Sequence, residues 1–150
     1  MRVLGSVAEI EAAVGEAMGP TEWVTLDQAA VDAFAELTGD HQWIHVDPER
    51  AASSSFGGTI VHGFLTASML PGFGLRLFRI DAGSARLNYG VDKIRFPAPL
   101  RTGTPIRATA TFTSVDAVGS GTQVRTSWTV EAEGSERPVC VAETITLVLP

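Results

Sequence analysis

Apolar positions recur along this chain with two different periods, and the change from one to the other divides it. In the first half the period is helical. Val31, Phe34 and Leu37 follow Asp27 at three-residue spacing, which predicts a helix capped by Asp27 and stopped at Gly39. Ser6-Val7-Ala8-Glu9 has the form of a capping box and predicts a shorter helix over about 7–17, closed by Gly19-Pro20. Residues 23–26 read as a strand, and residues 48–54 as a short helix with Pro48 at its first position. Residues 63–75 carry no charge, Arg76 being the first. A helix apolar on every side is a buried one, and one of about 15 residues is roughly 22 Å long, enough to cross a small domain. Pro71, Gly72 and Gly74 predict a kink or break in its second half.

In the second half the period is two. Ile106, Ala108, Ala110 and Phe112 alternate with polar residues, as do Val124, Thr126, Trp128, Val130 and Ala132, the mark of strands with one buried face. Gly119-Ser120-Gly121 and Glu133-Gly134-Ser135 stand where hairpin turns are needed. Apolar positions 87, 89 and 91 are followed by 94 and 96, a phase change that predicts a bulge near Asp92 and Lys93. Residues 139–149 are apolar on both faces except at Glu143, which the pattern does not explain. Four long strands with short turns make an antiparallel meander, and wrapping it around the uncharged helix gives an α+β arrangement. The 150 residues suit a single domain, with residues 1–20 as an N-terminal helical segment.

Composition narrows the partners. Eleven basic against seventeen acidic residues leave a net charge of −6, which argues against nucleic acid, where a basic face supplies most of the affinity. A local basic patch for an anionic small ligand remains open. The single cysteine, Cys140, excludes an internal disulfide and accords with a reducing, cytoplasmic setting. Glu9, Glu11 and Glu16 interrupt any apolar run at the amino terminus, so no signal peptide is expected. No stretch approaches the ~20 apolar residues of a membrane helix.

Candidate chemistry gathers just past the Gly39 helix stop. Asp40 and His45 put a carboxylate and an imidazole five residues apart in what reads as a loop. Sharing one water, such a pair can both remove and return a proton near neutral pH. The plainer reading is an Asx turn and a surface histidine. His41 and His45 raise a metal alternative with Asp40 and Asp47, but that spacing converges only on a helix, and Gly39 and Pro48 argue for irregular backbone. Further on, the turn Phe56-Gly57-Gly58 leads to His62-Gly63, which opens the uncharged helix. The backbone N–H of Gly63 offers a preorganised donor for an oxyanion. His62 alone reads as a satisfied structural histidine.

The stretch FAELTGDHQWIHVDPERAASSSFGGTIVHGFLTASML, residues 34–70, resembles the hydratase signature of the MaoC-like dehydratases and (R)-specific enoyl-CoA hydratases. The segment LNYGVDKIRFPAP from Leu87 resembles their strand pattern, so the likeness spans nearly the whole chain. It implies a hot-dog fold and addition of water to trans-2-enoyl thioesters. In that family the G-D-x-x-x-x-H pattern, here Asp40 and His45, activates the water. The glycine after the later histidine, here Gly63, supplies the oxyanion N–H. Gln42-Trp43 stands in place of the usual Asn-Pro, and Pro71 where some members carry a serine that Ser68 would have to replace. Candidate substrate contacts are Gln42 and His62 near the pair, Asn88 and Tyr89 by the acyl channel, and Lys93 and Arg95, with Arg101 or Arg107, toward coenzyme A phosphates. The apolar faces of 139–149 and the uncovered edges of a lone hot-dog sheet call for a homodimer, which the resemblance also implies, and no metal or redox cofactor is required. A hot-dog thioesterase and a non-catalytic acyl-binding subunit remain as alternatives. Acyl chain length, carrier and pathway are left open.

Overall fold

The computed structural model describes residues 1–150. A six-stranded antiparallel sheet carries the fold. Its long strands are β5 (Ala85–Arg95), β6 (Pro105–Val118), β7 (Gly121–Ala132) and β8 (Cys140–Leu149), and two short ones, β2 (Ala17–Met18) and β3 (Val24–Thr25), both pair with β6. The order β2-β6-β7-β8-β5 places β8 inside the sheet and β5 at its edge. A separate two-stranded parallel ladder joins β1 (Arg2–Leu4) to β4 (Phe78–Ile80).

The alternation of the central strands is borne out. Ile106, Ala108, Ala110 and Phe112 of β6 and Val124 and Val130 of β7 are fully buried, facing Phe73 and Leu77 across the core. Each large side chain removed from water in this way contributes about 1.5–3 kcal/mol. The apolar character of 139–149 follows from the interior position of β8. Glu143 lies directly opposite Lys93 on β5, an opposite-charge cross-strand pair that accounts for its presence there.

Helices α1 (Val7–Ala12), α2 (Gln28–Thr38), α3 (Trp43–Val46) and α4 (Pro48–Ala52) precede the uncharged segment. Asp27 caps α2 by accepting from the Ala30 N–H at 2.9 Å, and Gly39 ends it with φ 79° and its N–H on the Ala35 carbonyl. Helix α1 stops at Ala12, short of the expected 17. The Gly15 N–H donates to the Phe112 carbonyl, and Ala17 and Met18 then pair with β6, so the sheet captures the chain before the helix can extend. The strand expected over 23–26 narrows to Val24–Thr25.

The uncharged segment forms two helices, α5 (Gly63–Ser68) and α6 (Leu70–Leu77), meeting at Met69. Pro71, in the first turn of α6, has no N–H to continue the ladder of α5. This pair packs on the sheet through Thr66, Leu70, Phe73, Gly74 and Leu77. It is not buried on every side, as its composition suggested: Phe64 is 68% and Leu75 72% exposed. No helix is long and apolar enough to cross a membrane.

Candidate active site

The short helix α3, rather than irregular backbone, carries His45, which is 7% exposed. Three contacts fix it. Its N–H donates to the Gln42 carbonyl at 2.9 Å, and its own carbonyl accepts from Gln28 Nε2 at 2.8 Å. Its Nδ1 lies 2.6 Å from the Ile60 carbonyl. A carbonyl only accepts, so Nδ1 carries the hydrogen and neutral His45 presents a bare Nε2 lone pair. Burial pushes the His45 pKa below its ordinary 6.5, and the neighbouring His62 adds to this; the bond to Ile60 and the Asp40 charge oppose it. The imidazole is thereby biased toward the neutral form that can accept a proton.

The Ile60 carbonyl is aimed by the turn before it. Gly57 has φ 65° and Gly58 φ 157°, both in the region that favours glycine. A Cβ on Gly58 would also lie 2.6 Å from the Arg101 guanidinium. Gln28 ties the two sides of the site together, since its Oε1 accepts from the Thr59 hydroxyl while its Nε2 holds His45. Neither Gln28 nor Ile60 carries a local sequence signal, because both act through partners distant in the chain.

Asp40 stands in the loop just past Gly39, as expected, with its side chain 55% exposed. Its own N–H and its carboxylate make long local contacts of 3.4 Å, with Thr38 Oγ1 and the Gln42 N–H, and the carboxylate stands 4.0 Å from His62 Nε2. The short bond on this residue comes from His62, whose Nε2 lies 2.9 Å from the Asp40 carbonyl. His62 is 2% exposed and stacks on His45 with ring centroids 3.8 Å apart. Its Nδ1 has no partner, which corrects the expectation of a satisfied histidine. An unpaired buried polar atom of this kind costs about 1–3 kcal/mol.

Polar side-chain atoms of Asp40, His45 and His62 lie within 4.8 Å of one another. As a metal centre the set fits poorly. The two rings are stacked 23° from parallel, so their in-plane lone pairs run side by side instead of converging on one ion at about 2.0–2.1 Å. Nor do His41 and His45 share a ligand position: His41 lies on the Glu36 carboxylate at 2.9 Å, away from the α3 turn.

Gly63 opens α5 with a backbone N–H that no protein group accepts, one of the free donors that every helix start leaves. A Cβ here would lie 2.7 Å from the Phe96 ring. Close packing of Phe96 is therefore one structural reason for glycine at this position.

Beside this cluster runs an apolar groove of about 530 Å³ between α5–α6 and strands β4, β5, β7 and β8. Trp128, its indole N–H on the Thr144 hydroxyl at 2.9 Å, lines it together with Phe64, Pro71 and Ile94. Asp40, His45 and Gly63 do not line it; Phe64, next to Gly63, is where groove and cluster adjoin. Strand β5 has the expected register shift between Val91 and Lys93 and a second between Asn88 and Gly90. Together they turn Asn88, Val91 and Ile94 toward the groove. Tyr89 is not among the lining residues and stays 59% exposed. Lys93 and Arg95 are exposed, and Arg95 donates to the Ile94 carbonyl. Gln42 is exposed at the start of α3. Ser68 lines the groove with its hydroxyl donating to the Phe64 carbonyl at 2.7 Å, and Trp43 lies under the Arg50 guanidinium.

The chain is similar to known proteins over nearly its whole length. The chain is 50% identical over 146 residues to 3-hydroxyacyl-thioester dehydratase Z of Mycobacterium tuberculosis, covering 97% of each protein. Among solved structures, the monoamine oxidase regulatory protein from Archaeoglobus fulgidus superposes with a TM-score of 0.79 at 25% identity, over 99% of this chain and 96% of the other. R-hydratase PhaJ1 from Pseudomonas aeruginosa gives 0.76 at 20% identity, over 97% and 86%. The fold is the hot-dog fold of such proteins. Residues 9–134 match the family described as the MaoC like domain, and the chain belongs to the MaoC-like dehydratase family.

Proposed function

We propose that this protein is an (R)-specific hydratase of trans-2-enoyl thioesters, interconverting them with (R)-3-hydroxyacyl thioesters. The reading is carried by one observation: the His45 ring, its Nδ1 on the Ile60 carbonyl, stands within 4.8 Å of the Asp40 carboxylate, and the Gly63 N–H has no protein acceptor. A water held between Asp40 and His45 loses a proton to the pair as its oxygen bonds to Cβ. Electrons of the Cα–Cβ double bond move onto the thioester oxygen, where the Gly63 N–H stabilises the enolate. The pair returns a proton to Cα as the thioester carbonyl re-forms, so it ends as it began. Dehydration is the same path in reverse, in keeping with the name of the 50% identical dehydratase.

The acyl tail occupies the groove beside Phe64, whose lining is predominantly apolar. Lys93 and Arg95 serve the phosphates of a carrier thioester. No step draws on a metal or a redox cofactor.

Incubation with crotonyl-CoA tests the proposal. Loss of enoyl absorbance without release of free thiol is the expected result, and chiral analysis should return mainly the (R)-3-hydroxy product. Free thiol would identify a thioesterase instead, no reaction an acyl-binding subunit, and a mainly (S) product would remove the stereochemical assignment.

A further inference from the structure

We infer that His62 is a positioning residue for Asp40, holding that residue's backbone through its Nε2–H so that the carboxylate faces the water shared with His45. The inference rests on the hydratase reading for its kinetic consequence, though not for its geometry.

Three observations carry it. The Asp40 carbonyl can only accept, so the 2.9 Å contact places the His62 hydrogen on Nε2. The His62 Nδ1 is buried and without a partner. A histidine serving only the core would find a partner for both nitrogens, and an unpaired one calls for an explanation. Here the orientation that leaves Nδ1 unpaired is the one that puts a donor on Asp40.

Asp40 has little else to hold it. It follows a left-handed Gly39; apart from His62, whose Nε2 also stands 4.0 Å from the carboxylate, its contacts are the two long ones to Thr38 and Gln42. His45, by contrast, is fixed by Gln42, Gln28 and Ile60. Losing the His62 donor should therefore displace one member of the pair and leave the other in place. The His62 ring is itself held between His45 and Phe34, whose centroid lies 5.0 Å away.

Two substitutions separate the donor from the ring. H62F keeps an aromatic ring against His45 and Phe34 but removes the N–H that reaches the Asp40 carbonyl. H62Q places an amide N–H where Nε2 was and removes the ring. For H62F, kcat for crotonyl-CoA hydration should fall about 10- to 100-fold with KM little changed, the scale of a misplaced catalytic group. H62Q should recover most of that loss. A crystal structure of H62F should show the Asp40 carboxylate displaced while His45 stays on Ile60.

Wild-type turnover in H62F, or a folded H62Q as slow as H62F, would overturn the inference. If neither variant folds, His62 is a structural residue and the inference is equally lost. A wild-type protein inactive on enoyl thioesters would remove the hydratase reading instead. The crystallographic comparison would then decide this one, and an unmoved Asp40 in H62F would refute it.

Discussion

In the proposed mechanism Asp40 and His45 divide the work between an exposed aspartate, held by one short bond at its backbone carbonyl, and a buried imidazole held by three contacts. Asp40→Asn and removal of the His45 ring should each lower kcat by roughly 10²–10⁴, the scale for losing a general acid or base. The two substitutions should differ in stability. Asp40 is exposed, so its replacement leaves the fold intact. His45→Ala strands the Ile60 carbonyl, at about 1–3 kcal/mol, whereas His45→Asn can keep a donor at the Nδ1 position. His45→Asn should therefore be as inactive as His45→Ala and melt closer to wild type. The pH dependence follows from the lowered His45 pKa. Below 6.5 the unfolded chain takes up a proton that the folded protein still refuses, so stability is full above 6.5 and declines as pH falls toward the lower folded value. Thermal melts from pH 8 to 5 should show this decline in wild type and a weaker one in His45→Asn. The pair itself was legible in the sequence, because residue type and the Gly39 stop are local. The Nδ1 contact to Ile60 was not, since it joins residues fifteen apart in the chain.

Among the elements, the start of α5 is the most constrained. Gly63 has an N–H that no protein group accepts, and its missing side chain leaves room for Phe96. Gly63→Ala should lower the melting temperature, since an inserted methyl costs about 1–3 kcal/mol where packing is tight. The loss should shrink in a Phe96→Ala background, because the ring is the obstacle. Equal losses in both backgrounds would point to the backbone instead. Helix ends at Asp27 and Gly39 were readable from local chemistry. The early end of α1 was not, because β6, almost a hundred residues later, decides it. Of the two irregularities in β5, only the one beside Asp92 left a trace in the apolar pattern. The other falls where Tyr89 and Gly90 blur the alternation.

For the whole molecule, the open edge of the sheet is β5, with Leu87, Tyr89 and Val91 all exposed. An apolar sheet edge of this kind invites pairing with another strand. We propose that two copies pair across β5, covering this edge and the outer face of α5–α6 where Phe64 and Leu75 stand. Light scattering at micromolar concentration should then give twice the 15.9 kDa chain mass. Tyr89→Lys should shift the species toward monomer. A stable, active monomer of the wild type would remove the dimer.

The α+β class, the capped helix before the site, the alternating strands and the catalytic candidates all follow from neighbours in sequence, since period, caps and turn residues act over a few positions. Tertiary structure alone decided three things. It put β8 inside the sheet and β5 at its edge, moving the exposed apolar surface to a strand the pattern did not single out. It split the uncharged segment between a face on the sheet and a face in solvent, because composition records how apolar a helix is and not how many sides are covered. It also set His62 beneath His45 with its N–H on Asp40, because side chains far apart in sequence stack only after the sheet and α5 have brought them together.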